Sequence, residues 1–164
     1  MRTTTLDSQH ARARSAALQC LARREHSVYE LATKLTRKYK SAVVGPIVEE
    51  LTENGELSDK RFAETLVRSR FNRGFGPIYI LKELRSKGIE AQLAKECIGA
   101  FDGEWQARAR EVLEKKRGQH NDTFDEEVDG RKNDDEAKAK AVNEKLARFL
   151  FGRGYPSEIV FRLF

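Results

Sequence analysis

The sequence predicts an all-α protein of tandem three-helix repeats, about nine helices forming an elongated, curved stack. Three observations carry that prediction. Apolar residues recur at i, i+3, i+4 and i+7 along most of the chain, which is the spacing of one helix face. Glycine and proline fall between those runs, where helices stop and start. The second helix of each group also ends alike, in Leu35-Thr36-Arg37-Lys38, Leu84-Arg85-Ser86-Lys87-Gly88 and Leu150-Phe151-Gly152-Arg153-Gly154. The three leucines are 49 and 66 residues apart. The excess of 17 matches an acidic insert in the third group. That insert interrupts a repeat and does not divide two domains.

Residues 1–10 are polar and threonine-rich and are expected to be a flexible N-terminus. The first repeat spans 11–57. Its opening helix, about 11–24, carries Ala13, Ala17, Cys20 and Leu21 on one side. Ser27 and Glu30 then form a capping box, the Ser27 hydroxyl accepting from the Glu30 N–H while the Glu30 carboxylate reaches back. The helix they open runs to about Tyr39 and buries Val28, Leu31, Ala32 and Leu35. A third helix starts near Gly45-Pro46, aligns Val44, Ile47, Val48 and Leu51, and stops at Asn54-Gly55.

The second repeat spans 58–101. Ser58 and Asp59 supply acceptors for the first N–H groups of a helix whose apolar face is Phe62, Ala63, Leu66 and Val67. Gly74 suits a left-handed C′ position. Gly76-Pro77 opens the next helix with proline where its missing N–H is harmless. Ile80, Leu81 and Leu84 face inward, and Gly88 ends the helix. A sixth helix at about 90–101 turns Leu93, Cys97 and Ile98 to the core. The third repeat, 102–164, begins with a helix at about 103–117 holding Trp105, Ala109, Val112 and Leu113. An acidic loop at about 118–134 follows. Next come a helix at about 135–152 with Val142, Leu146, Phe149 and Leu150, and a ninth with Ile159, Val160 and Leu163.

The 164 residues are 39% hydrophobic and 35% charged, enough for a core within much charged surface. No run approaches the roughly 20 apolar residues of a membrane span, and the N-terminus lacks the apolar core of a signal peptide. The expected location is cytoplasmic, without a membrane. Cys20 and Cys97 are too few for a disulfide scaffold and read as small buried hydrophobes. His10, His26 and His120 have no metal-ligand spacing. Residues 120–136 hold eight acids against Arg131 and Lys132, a net −6, so the overall +5 leaves +11 for the remainder. That excess suits a polyanionic partner, while solvated helix faces are the plainer alternative.

No enzyme constellation is present: no Walker loop, no H-E-x-x-H, no G-x-S-x-G. Catalysis is not expected, and no cofactor or metal is implied. The Arg73-Gly74-Phe75-Gly76-Pro77 run looks like a phosphate cradle but lacks a preceding strand. A helix–helix turn is preferred, although the helix starting there still offers N–H groups to an anion. With Phe62 at zero and about 100° per residue, Arg70 falls at about 80°, inside the apolar arc that holds Leu66 and Ala63. It therefore needs an acidic or carbonyl partner, must snorkel outward, or contacts a partner directly. Arg61 and Arg68 fall on the solvent side, and Lys82 and Arg85 share one helix face.

The chain resembles the RecX family, regulatory proteins that modulate the RecA recombinase. The central block L57-S-D-x-x-F62-A, R70, R73-G-F-G76, I80-x-x-E-L84-x-x-K87-G-I89 carries the likeness. It continues in A17-L-x-x-L21-A-R-R-E-H-S27-x-x-E30-L31-x-x-K34-L35 and resumes in R148-F-L-F-G-R153-G-Y155. The resemblance implies a non-enzymatic modulator of the RecA–DNA filament in homologous recombination, DNA repair and the SOS response. The modulator is expected to be a monomer that inhibits the recombinase. Arg68, Arg73, Lys82, Arg85, Lys87 and Arg153 would meet single- or double-stranded DNA or the filament. Ser27, Glu30, Asp59, Arg70, Gly74 and Gly76 are the structural positions. A helix-turn-helix DNA-binding protein is the alternative. It is weakened because Ile78-Tyr79-Ile80-Leu81, at the N-terminus of the would-be recognition helix, belongs largely in a core. A protein-only helical scaffold would bind neither DNA nor recombinase.

Overall fold

The structure, a computed structural model, describes residues 3–121 and 132–164, with side chains excepted at 3–7, 119–121 and 132–138. Nine helices and no strand occur among the described residues: α1 (Thr3–Leu21), α2 (Val28–Thr36), α3 (Ser41–Glu53), α4 (Asp59–Asn72), α5 (Pro77–Ser86), α6 (Ala91–Gly99), α7 (Trp105–Asn121), α8 (Lys132–Gly152) and α9 (Ser157–Phe161). The all-helical reading holds.

Several boundaries differ from the periodicity. α1 begins at Thr3, earlier than the start at 11, since a packed turn at Ala13 and Ala17 propagates backwards at little cost. α3 begins at Ser41 with Pro46 inside it. Burial of Val43, Val44, Ile47, Val48 and Leu51 along one face outweighs the hydrogen bond that proline removes. α7 runs on to Asn121 and α8 starts at Lys132. The heart of the expected acidic loop, 122–131, lies outside the described residues.

The chain divides into two compact units. The first holds residues 1–67 and 83–97. In it α1, α2 and α3 pack on one another around Ala13, Ala17, Leu31, Leu35, Val44, Ile47 and Leu51. Of the expected inward residues, Ala13, Ala17, Leu31, Leu35, Val44, Ile47, Val48 and Leu51 are buried there, while Cys20, Leu21, Val28 and Ala32 are only half-buried. The second unit holds 68–82 and 98–164. Its α7, α8 and α9 pack together, burying Trp105, Ala109, Leu113, Leu146, Leu150, Tyr155 and Val160. Phe71, Phe101 and Trp105 form an aromatic cluster, with Phe71 to Phe101 centroids 4.6 Å apart and Phe71 to Trp105 5.1 Å.

Within the second unit, the turn between α4 and α5 lies on the turn after α8. Gly74 adopts φ +77°, as the left-handed reading requires, and the Gly76 N–H donates to the Arg153 carbonyl at 2.7 Å. The Ile78 N–H donates to the Gly154 carbonyl at 3.1 Å. A Cβ on Gly76 would collide with the Gly154 carbonyl oxygen and sit 2.5 Å from the Tyr155 nitrogen. Neither neighbour can yield, because both are backbone. Gly76→Ala is therefore expected to cost about 3 kcal/mol. Gly55→Ala, at φ +72° with open space around it, should cost only about 1 kcal/mol of backbone strain. Denaturant midpoints test the order, and a Gly76→Ala variant as stable as Gly55→Ala would contradict this docking.

Candidate nucleic-acid interface

In the first unit, the turn between α1 and α2 lies on the turn after α5. The Ser27 hydroxyl accepts from the Glu30 N–H at 3.0 Å, as the cap predicts, and donates to the Lys87 carbonyl at 2.7 Å. The Glu30 carboxylate does not complete the box. It accepts from Arg24 at 2.8 and 3.1 Å and from Lys87 at 3.1 Å. The Arg24 hydrogen bonds, reinforced by Lys87, hold its pKa down at about 2. Asp59 does not cap its own helix. Ser58 accepts from the Arg61 N–H, and the Asp59 carboxylate instead accepts from the Val28 N–H at 2.8 Å, closing the N-terminus of α2. His26 is buried, its Nδ1 lies 3.0 Å from the Arg24 carbonyl, and burial pushes its pKa down. Arg24, Lys34, Arg37 and Lys87 line an open cleft of about 350 Å³ with Tyr29, Thr33, Ser86 and Glu30.

In the second unit, cations and rings interleave. The Arg153 guanidinium donates to the Arg73 carbonyl at 2.8 Å and the Gly74 carbonyl at 3.3 Å. It also lies 5.2 Å from the Phe75 centroid and 4.9 Å from that of Phe149. Arg73 approaches the same Phe75 ring at 5.8 Å. Phe75 stacks on Tyr79 with centroids 4.4 Å apart and planes 20° off parallel. Arg108 donates to the Phe71 and Asn72 carbonyls and pairs with Glu111, closing the C-terminus of α4.

The expected contact residues thus separate by environment. Arg73 and Arg153 meet around Phe75. Arg153 is spent on carbonyls and rings, and Lys87 on Glu30. Arg68, Lys82 and Arg85 are exposed and form no ion pair among the described residues. Arg70 is half-buried and engages a partner. Arg61, read as a solvent-side cation, binds the Gly55 and Glu56 carbonyls and Glu25 while remaining exposed. Ile78 and Tyr79, read as core, are 56% and 38% exposed, a correction that weakens the case made against a contact at this end of α5. Nothing local in the sequence marks Arg108.

Comparison with known proteins gives one family. The model of the RecX first three-helix domain matches residues 13–51, and that of the RecX second three-helix domain matches 58–98. Regulatory protein RecX of Halorhodospira halophila is 45% identical over 106 residues, which are 64% of this chain and 66% of that protein, just under two thirds. Regulatory protein RecX of Pseudomonas entomophila is 32% identical over 152 residues, 92% of this chain and 88% of that protein. The crystal structure of RecX from Lactobacillus salivarius superposes with a TM-score of 0.74 at 20% identity, covering 96% of this chain and 95% of that one, a likeness of fold.

Two outcomes follow from these contacts. Because the folded pKa of Glu30 lies below its ordinary 4.5, its stabilisation is present above that pH and is lost as the pH falls towards 2. Arg24 is 55% exposed, so screening holds the effect at neutral pH to about 1 kcal/mol. Glu30→Gln should be that much less stable at pH 7 and equal to wild type by about pH 2, as read by urea unfolding across pH. Arg153→Ala should cost about 2 kcal/mol by leaving the Arg73 and Gly74 carbonyls and two ring faces uncovered. Arg68→Ala should change stability by at most about 0.5 kcal/mol. The reverse order in thermal melts would make Arg153 a surface cation.

Proposed function

Because the chain belongs to the RecX family, we propose that it is a non-enzymatic regulator that binds a RecA recombinase filament and its DNA and restrains the recombinase. The observation that carries this proposal is the division of the cations. Arg153, Lys87, Arg61 and Arg108 are engaged by carbonyls or carboxylates of the fold, whereas Arg68, Lys82 and Arg85 are exposed and lack an ion pair among the described residues. Structural needs are met without these three, which leaves them for phosphates. Lys82 and Arg85 stand three apart on α5, one above the other on its face. The proposed chain comprises three three-helix repeats, acts as a monomer in the cytoplasm, and changes recombinase output without chemistry of its own.

Each phosphate contact on B-DNA adds about −0.9 to the slope of log affinity against log salt. The Lys82→Ala/Arg85→Ala variant should therefore flatten that slope by up to about two units and melt within about 0.5 kcal/mol of wild type. The deciding assay is recombinase-dependent ATP hydrolysis and strand exchange on single-stranded DNA, with the protein titrated in. Wild type should depress both, and the double variant should need a higher concentration to do so. A wild-type protein that neither binds the filament nor alters its turnover would sink the proposal.

A further inference from the structure

We propose that the Phe75–Tyr79 stack is a platform for an unpaired nucleobase, so that the second unit grips single strands by base stacking as well as by charge. The inference rests on the nucleic-acid contact proposed above and assigns its ligand. Tyr79 is 38% exposed and Phe75 covers one of its faces at 4.4 Å, and the other face is the one proposed for the base. Behind it the stack continues into the Arg153 guanidinium, 5.2 Å from the Phe75 centroid. A cation and two rings thus adjoin one another, and on this proposal a base extends the stack from Tyr79.

This group is also fixed before any ligand arrives. Arg153 is held by two carbonyls, and the backbone at Gly76 and Ile78 is hydrogen-bonded to the turn after α8. A Cβ on Gly154 would sit 2.5 Å from the Tyr79 Cβ, so the tyrosine stem is packed against that turn. Little freedom is left for binding to remove.

The surroundings decide the occupant. Ile78 is 56% exposed beside Tyr79, an apolar pair on a helix whose outer face is otherwise cationic. With Ile80 at zero and about 100° per residue, the buried Leu84 lies at about 40°, while Ile78, Lys82 and Arg85 lie at about 160°, 200° and 140°. Tyr79 flanks that face at about 260°. The one acid of the helix, Glu83, lies at about 300°, half-buried and engaged by a partner, and apolar flat surface beside several cations matches a polyanion that also carries flat apolar faces. A single strand is such a partner. In a duplex the base faces are already stacked, and only phosphates reach the helix.

The test uses the full chain and three labelled probes: a thymidine homopolymer, the same strand annealed to its complement, and an abasic strand of equal length. Tyr79→Ala should weaken binding to the homopolymer by roughly five- to one-hundred-fold and leave the other two within about twofold. Its salt slope should not change, because no phosphate contact is removed. Tyr79→Phe should bind like wild type, and thermal melts should show both variants folded. Equal loss on all three probes, or none on the homopolymer, overturns the platform while leaving the recombinase assay above to decide the regulator. Wild type that binds none of the three probes overturns the platform and the DNA contact together.

Discussion

The fold depends on a backbone approach made twice, once in each unit. In the second unit the Gly76 N–H meets the Arg153 carbonyl at 2.7 Å, and in the first the Ser27 hydroxyl meets the Lys87 carbonyl at 2.7 Å. The offsets of 49 and 66 residues that relate the repeated leucines carry Ser27 onto Gly76 and Lys87 onto Arg153. The two contacts are one device, made first with a side chain and then with a bare N–H. A glycine at positive φ completes each, Gly88 at +76° beneath Tyr29 and Gly154 at +82° beneath Tyr79. Only a residue without Cβ lets the incoming helix come so near. The hydrogen bond itself is worth about 1 kcal/mol, so the close packing around it matters more.

That device also sorts the basic residues. Lys87 and Arg153 both precede the helix-ending glycine, and each turns inward to satisfy what the docking brings near. Lys87 meets a carboxylate and Arg153 meets two carbonyls and two rings. The difference fits their chemistry, since a planar guanidinium stacks on aromatic faces and an ammonium acts as a point charge. The cations of α5 that stand away from these turns have no such duty. The charge excess of +11 outside the acidic segment already sets Glu30, Glu25, Glu50 and Glu111 against the cations that pair with them, so it measures the cations left over once every acid there is matched.

Much of this was legible in the sequence, and the limit is physical. Helix order, inward faces and the Gly74 turn could be read because each depends on neighbours within a few residues. The Ser27 cap was half legible: its N–H partner is local, but the carboxylate of Glu30 answers Lys87, 57 residues away. Asp59 was read as an acceptor for its own helix, whereas its carboxylate accepts from the Val28 N–H, 31 residues back. Local spacing holds no record of such pairs. The start of α3 was misjudged for a related reason, since the proline signal is local and the packing that overrides it is not.

Ile78 and Tyr79 teach a different lesson. Residue type placed them in a core, whereas helix phase places Ile78 nearly opposite the buried Ile80 and Leu84. Both signals were available, and phase prevails because a helix of 10 residues has one buried side and cannot rotate to hide a second. An apolar side chain left on the outer face costs hydration, about 25 cal/mol for each Å² exposed. The fold gains nothing from that exposure. A partner that covers Ile78 and Tyr79 recovers it, and the surrounding cations restrict the partner to one with negative charge. Exposed apolar area and positive charge without an ion pair among the described residues, both on one short helix, are thus independent reasons for the ligand proposed above.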